Sequence, residues 1–575
     1  MNKKLDGTFK VATRNDVRTA GKRGAIASGS AGVRPIGLHS PAALTRKNST
    51  LQAAIALAVM LGGVGSAHAF SIDTGNRDLQ IRFDNTLRYN LGMRVEERDS
   101  KIARSPNADE GDAKFDQGDV ITNRLDLLSE LDVVYKRRHG MRISAAAWYD
   151  MAYNDVDVEK SPHVAGSTSY FNDTYSSHTK RYYRGPSGEI LDAFVFSSFD
   201  VGNSPVNVKL GRHSVVWGEG LMHGAHEISY RQAPSDSRKA AENPGSETKE
   251  LFLPVGQFSF QSTLTDTLSL GGQYFFEWQP NRFPEGGTYL AGTDYLWEGP
   301  DRFGSRNRLD PLEPDDSGEW GANLRWSPRA LNGGIVGAYY REFNEKQGWL
   351  QMVGTNGYRL SYAEDTKLYG LSLGKVFSGI SVGAELSYRK NAALNGSAGP
   401  DGEGPRGNTW HAVLNGTKSM TGGDWFDSAI LMGSVAYSRL DKVTENENRF
   451  RGEGYAGCAA GQDKWDGCAT DDVWQAAFRF MPQWMSAMDG VDITLPIAFT
   501  HTLKGNGATM GGGNQGHSTY SIGVEADINK FYKVGLTYAD SYAHYKDNGI
   551  VATGGNGGWQ TNDRGRVTLT LKATY

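Results

Sequence analysis

From Leu79 to Val95 the chain alternates almost without interruption. Leu79, Ile81, Phe83, Asn85, Leu87, Tyr89, Leu91, Met93 and Val95 fall on one side; Gln80, Arg82, Asp84, Thr86, Arg88, Asn90, Gly92 and Arg94 fall on the other. Period two makes a strand whose two faces meet different surroundings. The run outlasts a globular strand of about 5–6 residues and exceeds the about 9–11 that a tilted membrane-crossing strand needs. The pattern recurs, and the connections between recurrences constrain the fold most. Short turns at 136–140, 202–205, 265–267 and 377–379 alternate with long polar stretches at 96–120, 154–188, 279–317 and 441–471. A soluble β-sandwich does not segregate its loops by length in this way. A membrane barrel does, with short periplasmic turns, long extracellular loops and an even strand count.

The alternating segments are 79–95, 125–135, 141–153, 191–201, 206–217, 257–264, 268–278, 318–326 and 334–343, then 367–376, 380–390, 408–417, 427–440, 472–481, 491–501, 518–528, 532–542 and 564–575. They predict an all-β fold, a transmembrane antiparallel β-barrel of about 18 strands (16–18), with both termini at the short-turn end. Aromatics near strand ends (Tyr135, Tyr153, Trp278, Trp326, Tyr388, Trp410, Tyr437 and Trp474) are expected to form interfacial girdles. Composition agrees. A mean hydropathy of −0.50 excludes a bundle of apolar spanning helices, and 72 Gly without a triplet period exclude collagen.

The one sustained apolar run, 51–64 (LQAAIALAVMLGGV), follows a basic stretch that includes Arg46 and Lys47 and precedes Ala67-His68-Ala69. That order predicts a signal peptide over 1–69 with a long basic n-region, cleavage after Ala69, and a barrel over 70–575. The leader carries ten Lys and Arg against two Asp, so its removal takes the net charge from −4 to −12. So acidic a chain is a poor partner for nucleic acid. The chain's two cysteines, Cys458 and Cys468, predict one local disulfide across a surface loop; without nearby His they make an incomplete metal shell. The final strand is apolar at Val567, Leu569, Leu571, Ala573 and Tyr575, and its aromatic end resembles the signal read by the barrel assembly machinery.

Three stretches carry a resemblance to a family: the opening 79–95 strand, Gly211-Arg-His-Ser-Val-Val-Trp-Gly-Glu219, and Lys249-Glu-Leu-Phe-Leu-Pro-Val255. They resemble the proteobacterial outer-membrane proteins of domain-of-unknown-function family 1302. The resemblance implies traffic of hydrophobic compounds or lipids through the envelope. It also implies a periplasmic or lipoprotein partner and a resistance-nodulation-division exporter; it supplies no substrate. The long n-region and the cysteine loop have no counterpart in that pattern.

Between the lipid-facing positions, side chains point into the lumen. Strand one then offers Arg82, Asp84, Arg88 and Arg94, and strand two Arg124, Asp126, Glu130 and Asp132. These form either a mutually neutralised lattice stiffening the wall or a charged permeation path. Trp148, Phe194, Phe196 and Phe275 are inward apolar candidates, expected to form one greasy wall patch that lines a hydrophobic path or packs on an inserted loop. Alternation would point Arg212 at lipid, at about 2–4 kcal/mol near midplane. A bulge at Gly211 would turn it inward, where Glu219 could pair with it or with an Arg of strand one. Residues 220–256 are too long and too charged for a turn, and are expected to fold inward as a constriction with Arg212, Trp217 and Glu219.

No enzyme is expected. Gly370-Leu-Ser-Leu-Gly374 matches G-x-S-x-G but lies in an alternating strand rather than a strand-to-helix elbow. Gly402-Glu-Gly-Pro-Arg-Gly407 matches G-x-G-x-x-G inside a Pro-containing loop. Neighbours such as His213 and Ser214 face opposite sides of a strand. The acidic loop at 310–316 lacks EF-hand spacing. The expectation is thus an outer-membrane channel for hydrophobic or amphipathic small molecules or lipids, with no catalytic residue, metal or cofactor. The alternatives are a general or sugar/anion porin, a structural or adhesive barrel, and an outer-membrane hydrolase.

Overall fold

The computed structural model describes residues 70–575, so the expected leader lies outside the described residues. Eighteen strands form one wall. They are β1 (Leu79–Arg94), β2 (Val120–Tyr135), β3 (His139–Asp150), β4 (Ser187–Val201), β5 (Ser204–His213) and β6 (Val255–Thr265), followed by β7 (Leu268–Phe275), β8 (Trp320–Trp326), β9 (Ile335–Phe343), β10 (Thr366–Phe377), β11 (Ile380–Ala393) and β12 (Arg406–Thr421). Then come β13 (Ser428–Glu445), β14 (Asp472–Met488), β15, β16 (Ser518–Ile528), β17 (Tyr532–Tyr542) and β18 (Arg566–Thr574). β15 is broken at Leu495-Pro496 into Val491–Thr494 and Ile497–Lys504, both paired with β14 and β16. Every strand is antiparallel to the next. β18 returns to β1 from Thr86↔Thr574 to Arg94↔Arg566, which closes the barrel and leaves no edge there.

Eight connections at one end are short, and nine at the other are long: 95–119, 151–186, 214–254, 276–319, 344–365, 394–405, 446–471, 505–517 and 543–565. The tight turns use residues that tolerate left-handed backbone, such as Gly202 at φ 61°. Outward side chains are apolar and exposed, among them Val195, Leu210, Leu371, Leu414 and Leu536. At the long-loop end they become aromatic. Trp320 meets Tyr340 at 5.1 Å, Tyr340 meets Tyr369 at 5.2 Å, Tyr388 meets Trp410 at 4.6 Å and Tyr437 meets Trp474 at 4.7 Å. An apolar band with aromatic girdles on a closed wall is the surface of a membrane-spanning barrel.

Several side chains depart from strict alternation. Tyr153 and Trp278 are buried in the loop layer rather than in a girdle, because β3 and β7 end before reaching them. Tyr153 joins a cluster with Phe115, Tyr170, Tyr175, Tyr183 and Tyr289 that caps the long-loop end. A register shift between Ile143 and Ala145 turns Leu191, which alternation puts in phase with the outward Ala193 and Val195, into the interior. Cys458 and Cys468 are disulfide-bonded in loop 446–471.

Candidate functional site

The interior of this barrel is crossed by a chain segment that buries charged side chains of the wall. Arg88, Arg94, Arg341 and Arg389, all inward on the wall, are among the most deeply buried side chains of the molecule. What covers the first and last two is residues 214–254, a strap that leaves β5 and crosses the lumen before re-entering the wall at β6. Pro234, Pro244 and Pro254 keep it from extending either strand. It has two lobes.

The first lobe, 217–232, lies against β8 to β14. Glu385 of β11 grips it by its backbone. One carboxylate oxygen accepts from the Glu219 and Gly220 N–H groups, the latter at 2.7 Å, and the other from the Ile228 N–H at 2.7 Å. Asn415 donates to the Glu219 carbonyl at 2.7 Å. Arg341 donates to the carbonyls of Ile228 and Tyr230 at 2.9 and 2.6 Å, and Arg389 to that of Glu227 at 3.2 Å. Trp217 lies 6.3 Å from the Tyr339 ring, against a cluster of Ile228, Tyr230, Tyr339, Phe343 and Leu368. Farther along, His226 Nε2 meets Gln475 Oε1 at 3.0 Å and its Nδ1 meets His411 Nδ1 at 3.1 Å, while His411 Nε2 meets Thr409 at 2.9 Å. One proton arrangement satisfies all three contacts: both rings neutral, Thr409 donating to His411, His411 to His226, and His226 to Gln475. Burial, then the nearby Arg389, then a neighbouring His223 push the His226 imidazole down to about 3, consistent with that arrangement.

The second lobe, with helical turns Ser237–Glu242 and Thr248–Leu251, lies against β1, β2, β4 and β18. Arg88 holds Glu250 through two bonds of 2.9 and 3.0 Å and has Asp126 at 3.6 Å. Burial alone would raise the Glu250 carboxyl, but Arg88 and Lys239 outweigh it and hold it at about 2. Arg124 pairs with Asp126 at 3.0 Å and donates to the Tyr182 carbonyl. Lys249 bonds Glu130, Lys572 bonds Glu247, and Arg566 donates to the Ala241 carbonyl at 2.7 Å. Glu242 is enclosed without a hydrogen-bond partner for Oε1, and burial pushes it up to about 8.

The structure therefore brings Arg88, Arg124 and Asp126 together with strap residues. Arg82 stays apart near the short-turn end, exposed and paired with Asp84 at 2.6 Å. The expected aromatic patch is divided. Trp148 stacks on Tyr182 within a cluster of Leu128, Ala146, Leu191 and Leu253. Phe194 and Phe196 pack on each other at 6.4 Å, with His213 5.5 Å from Phe194. Phe275 is buried three strands farther round in the same row as Phe194, by way of Gly211 and Gln257, so three strand spacings of about 4.8 Å each keep it out of a single patch.

Arg212 also corrects the expectation. The ladder runs unbroken through Phe194↔Gly211 and Ala193↔Arg212, so Arg212 keeps its outward side. It avoids a midplane charge by lying at the strand's end, where Glu277 pairs with it at 2.6 Å and the Pro254 carbonyl accepts from it at 3.1 Å. Glu219 pairs with neither Arg212 nor β1 but with Arg325 at 3.3 Å. Glu385, Arg341, Arg389, His226 and His411 are not among the sequence candidates; for the four on the wall the available signal was inward register on strands that are otherwise small or apolar, whereas His226 lies on the strap, where no periodicity marks it.

A wall of this kind, crossed by a strap fixed on both sides, defines a membrane β-barrel occluded from within. The chain belongs to the family described as "Protein of unknown function (DUF1302)", whose model matches residues 50–575. No curated protein matches it. Among solved structures it is similar to Acinetobacter baumannii OccAB1, at 7% identity and a TM-score of 0.41, covering 89% of this chain and 99% of that one. It is also similar to Pseudomonas aeruginosa OccK2 (OpdF) in complex with glucuronate, at 11% identity and 0.38, covering 86% and 97%. For P. aeruginosa OccK1 (OpdK) the values are 10%, 0.37, 86% and 98%. The barrel assignment rests on this chain's own strand ladder.

Proposed function

We propose that the protein is an outer-membrane channel for hydrophobic or amphipathic small molecules, closed by its strap in the conformation described. The observation that carries this reading is the strap itself. It crosses the lumen, and between its joins to β5 and β6 only hydrogen bonds, ion pairs and apolar packing hold it to the wall, so its displacement breaks no covalent bond. Below it, toward the short-turn end, the interior is open and mixed in character. Lys209 and Gln261 are exposed, and Phe194 and Phe196 present partly exposed rings, Lys209 lying 5.2 Å from the Phe194 ring. Such a vestibule suits molecules with an apolar and a polar end. The short-turn end would face the periplasm, where a periplasmic or lipoprotein partner and a resistance-nodulation-division exporter would deliver or collect cargo.

A hydrolase reading gains no support from the side chains weighed for it. His213 Nε2 is engaged by Ser259 at 2.7 Å and its Nδ1 by the Gly211 carbonyl, while Ser214 bonds the Phe252 carbonyl. Ser372 of the G-x-S-x-G match meets the Tyr339 hydroxyl.

The test is reconstitution into phospholipid vesicles, with two solutes followed in parallel: a fluorescent dodecyl amphiphile and glucose. Passage of the amphiphile by the native protein, with glucose excluded until the strap is loosened by Glu385→Ala, is the expected outcome. Glucose passing freely while the amphiphile does not would replace this reading with that of a sugar porin.

A further inference from the structure

The wall is incomplete beside β4. β4 pairs with β3 along Ser187–Ile190, but β5 meets β4 only as far as Ala193↔Arg212, and β6 and β7 stop at the same level. Residues 187–192, about 20 Å of strand at 3.3 Å per residue, therefore have no strand partner on the β5 side. Among the described residues, no backbone-to-backbone bond from a loop reaches this stretch either. A bare strand edge is not tolerated against hydrocarbon unless protein or a water-filled cavity covers it.

What lies there is a cavity of about 880 Å³. Its lining includes Ala145 with Ala146 and Glu189 with Ile190. Consecutive strand residues point to opposite faces. Ile190 faces outward and is 57% exposed, while Glu189 faces inward to Arg282 at 2.7 Å and Lys239 at 3.6 Å. A cavity lined by both members of each pair lies along the free edge of β4 and borders both faces of the wall there.

The level of the opening is fixed by Phe276, whose N–H bonds the Gly256 carbonyl in the same row as Ala193 and Arg212. Phe276 and Tyr274, 5.4 Å apart, belong to the long-loop aromatic girdle. The opening begins at this row and runs toward the long-loop end, so its lower edge lies where the acyl region of a membrane meets its polar surface. Its outer rim sets the apolar side chains of Ala145, Ile190 and Ala193 beside the Arg212–Glu277 ion pair, and Trp297 stacks on Phe283 at 4.1 Å along one side. Its inner end is lined by Tyr182, Asn281, Arg282 and Glu285, and directly behind that lining lies the strap: Lys239 reaches Glu189, and Leu253 packs with Leu191 and Trp148.

We infer that this gap is a lateral portal, through which an amphiphile with a single alkyl chain passes between the outer leaflet and the barrel interior, with the strap's 251–254 segment as its inner door. The inference rests on the reading of the protein as a channel for amphipathic molecules. It adds where such a molecule crosses the wall.

The test is photolabelling of the full-length protein in phosphatidylcholine–phosphatidylglycerol vesicles. One arm uses free dodecanol with a terminal diazirine, the other a phospholipid with the diazirine on its acyl chain. The free chain is expected to label the peptide spanning 248–256 as well as the outer rim, and Ile190→Trp, which fills the opening at an already exposed position, is expected to abolish the inner label alone. Ala193→Trp serves as a second block. Absence of inner label from the free chain, inner label unaffected by both substitutions, or inner label from the phospholipid alone would each overturn the portal; the last would mark a structural lipid. Inner label that responds to Ile190→Trp in a protein that carries no dodecyl amphiphile would leave the portal standing and remove the transport reading.

Discussion

Glu385 does at one position what a helix N-cap does at a helix end: it supplies acceptors to N–H groups that have no regular partner. Removing it leaves three donors of the strap without their acceptor, the Ile228 N–H fully buried and those of Glu219 and Gly220 partly so, at about 1–3 kcal/mol for each group that stays buried and unsatisfied. Glu385→Ala is accordingly expected to raise single-channel conductance while the barrel keeps its heat-modifiable mobility in gels; unchanged conductance would show that the strap is held elsewhere. His226 gives the strap a pH dependence. Its folded value of about 3 lies below the ordinary 6.5, so the folded state binds fewer protons than the released state. Its contribution is full above pH 6.5 and is lost as pH falls toward 3. Acidification places a second N–H opposite His411 and a cation near Arg389. Conductance in planar bilayers should therefore rise below about pH 6, and His226→Gln should flatten that rise.

At the scale of elements, the strap and the disulfide loop answer to different forces. The second lobe is held by buried ion pairs, which set geometry more than they add stability. Removing one partner strands the other, at about 3–5 kcal/mol. Arg88→Ala should thus be far more disruptive than the double change Arg88→Ala with Glu250→Ala, as judged by proteolysis of the strap. Equal sensitivity of the two variants would show that this pair does not fix the lobe. The Cys458–Cys468 bond closes a loop ten residues apart, which in the chain-entropy account is worth about 3 kcal/mol to that segment. Its reduction is expected to expose loop 446–471 to protease and leave the strand ladder intact.

For the whole molecule, wall and strap are separable. Closure depends on β18 meeting β1 and on cross-strand pairs around the circuit, none of which requires residues 220–251. A chain with that segment replaced by a short Gly-Ser linker should still fold as a barrel and conduct as a wide aqueous pore. Failure to insert would mean that the buried arginines of the wall need the strap in order to fold.

Period two was enough to determine the wall. Lipid accepts only backbone that is paired within the protein, and eighteen alternating segments with sorted loop lengths have one economical closure. The same alternation identified Arg88, Arg124 and Asp126 as inward, because that depends only on parity along a strand. It could not say what they face, since their partners Glu250 and Tyr182 come from segments without periodicity. Nor could it foresee Leu191 turning in at a bulge, Arg212 escaping midplane by lying at a strand end, or Trp148 lying six residues nearer the long-loop end than Arg142, which shares the row of Phe275. Those depend on register and on where each strand stops. The occluding strap, its Glu385 grip and the free edge of β4 arise only when distant strands stand side by side, and so belong to the tertiary structure alone.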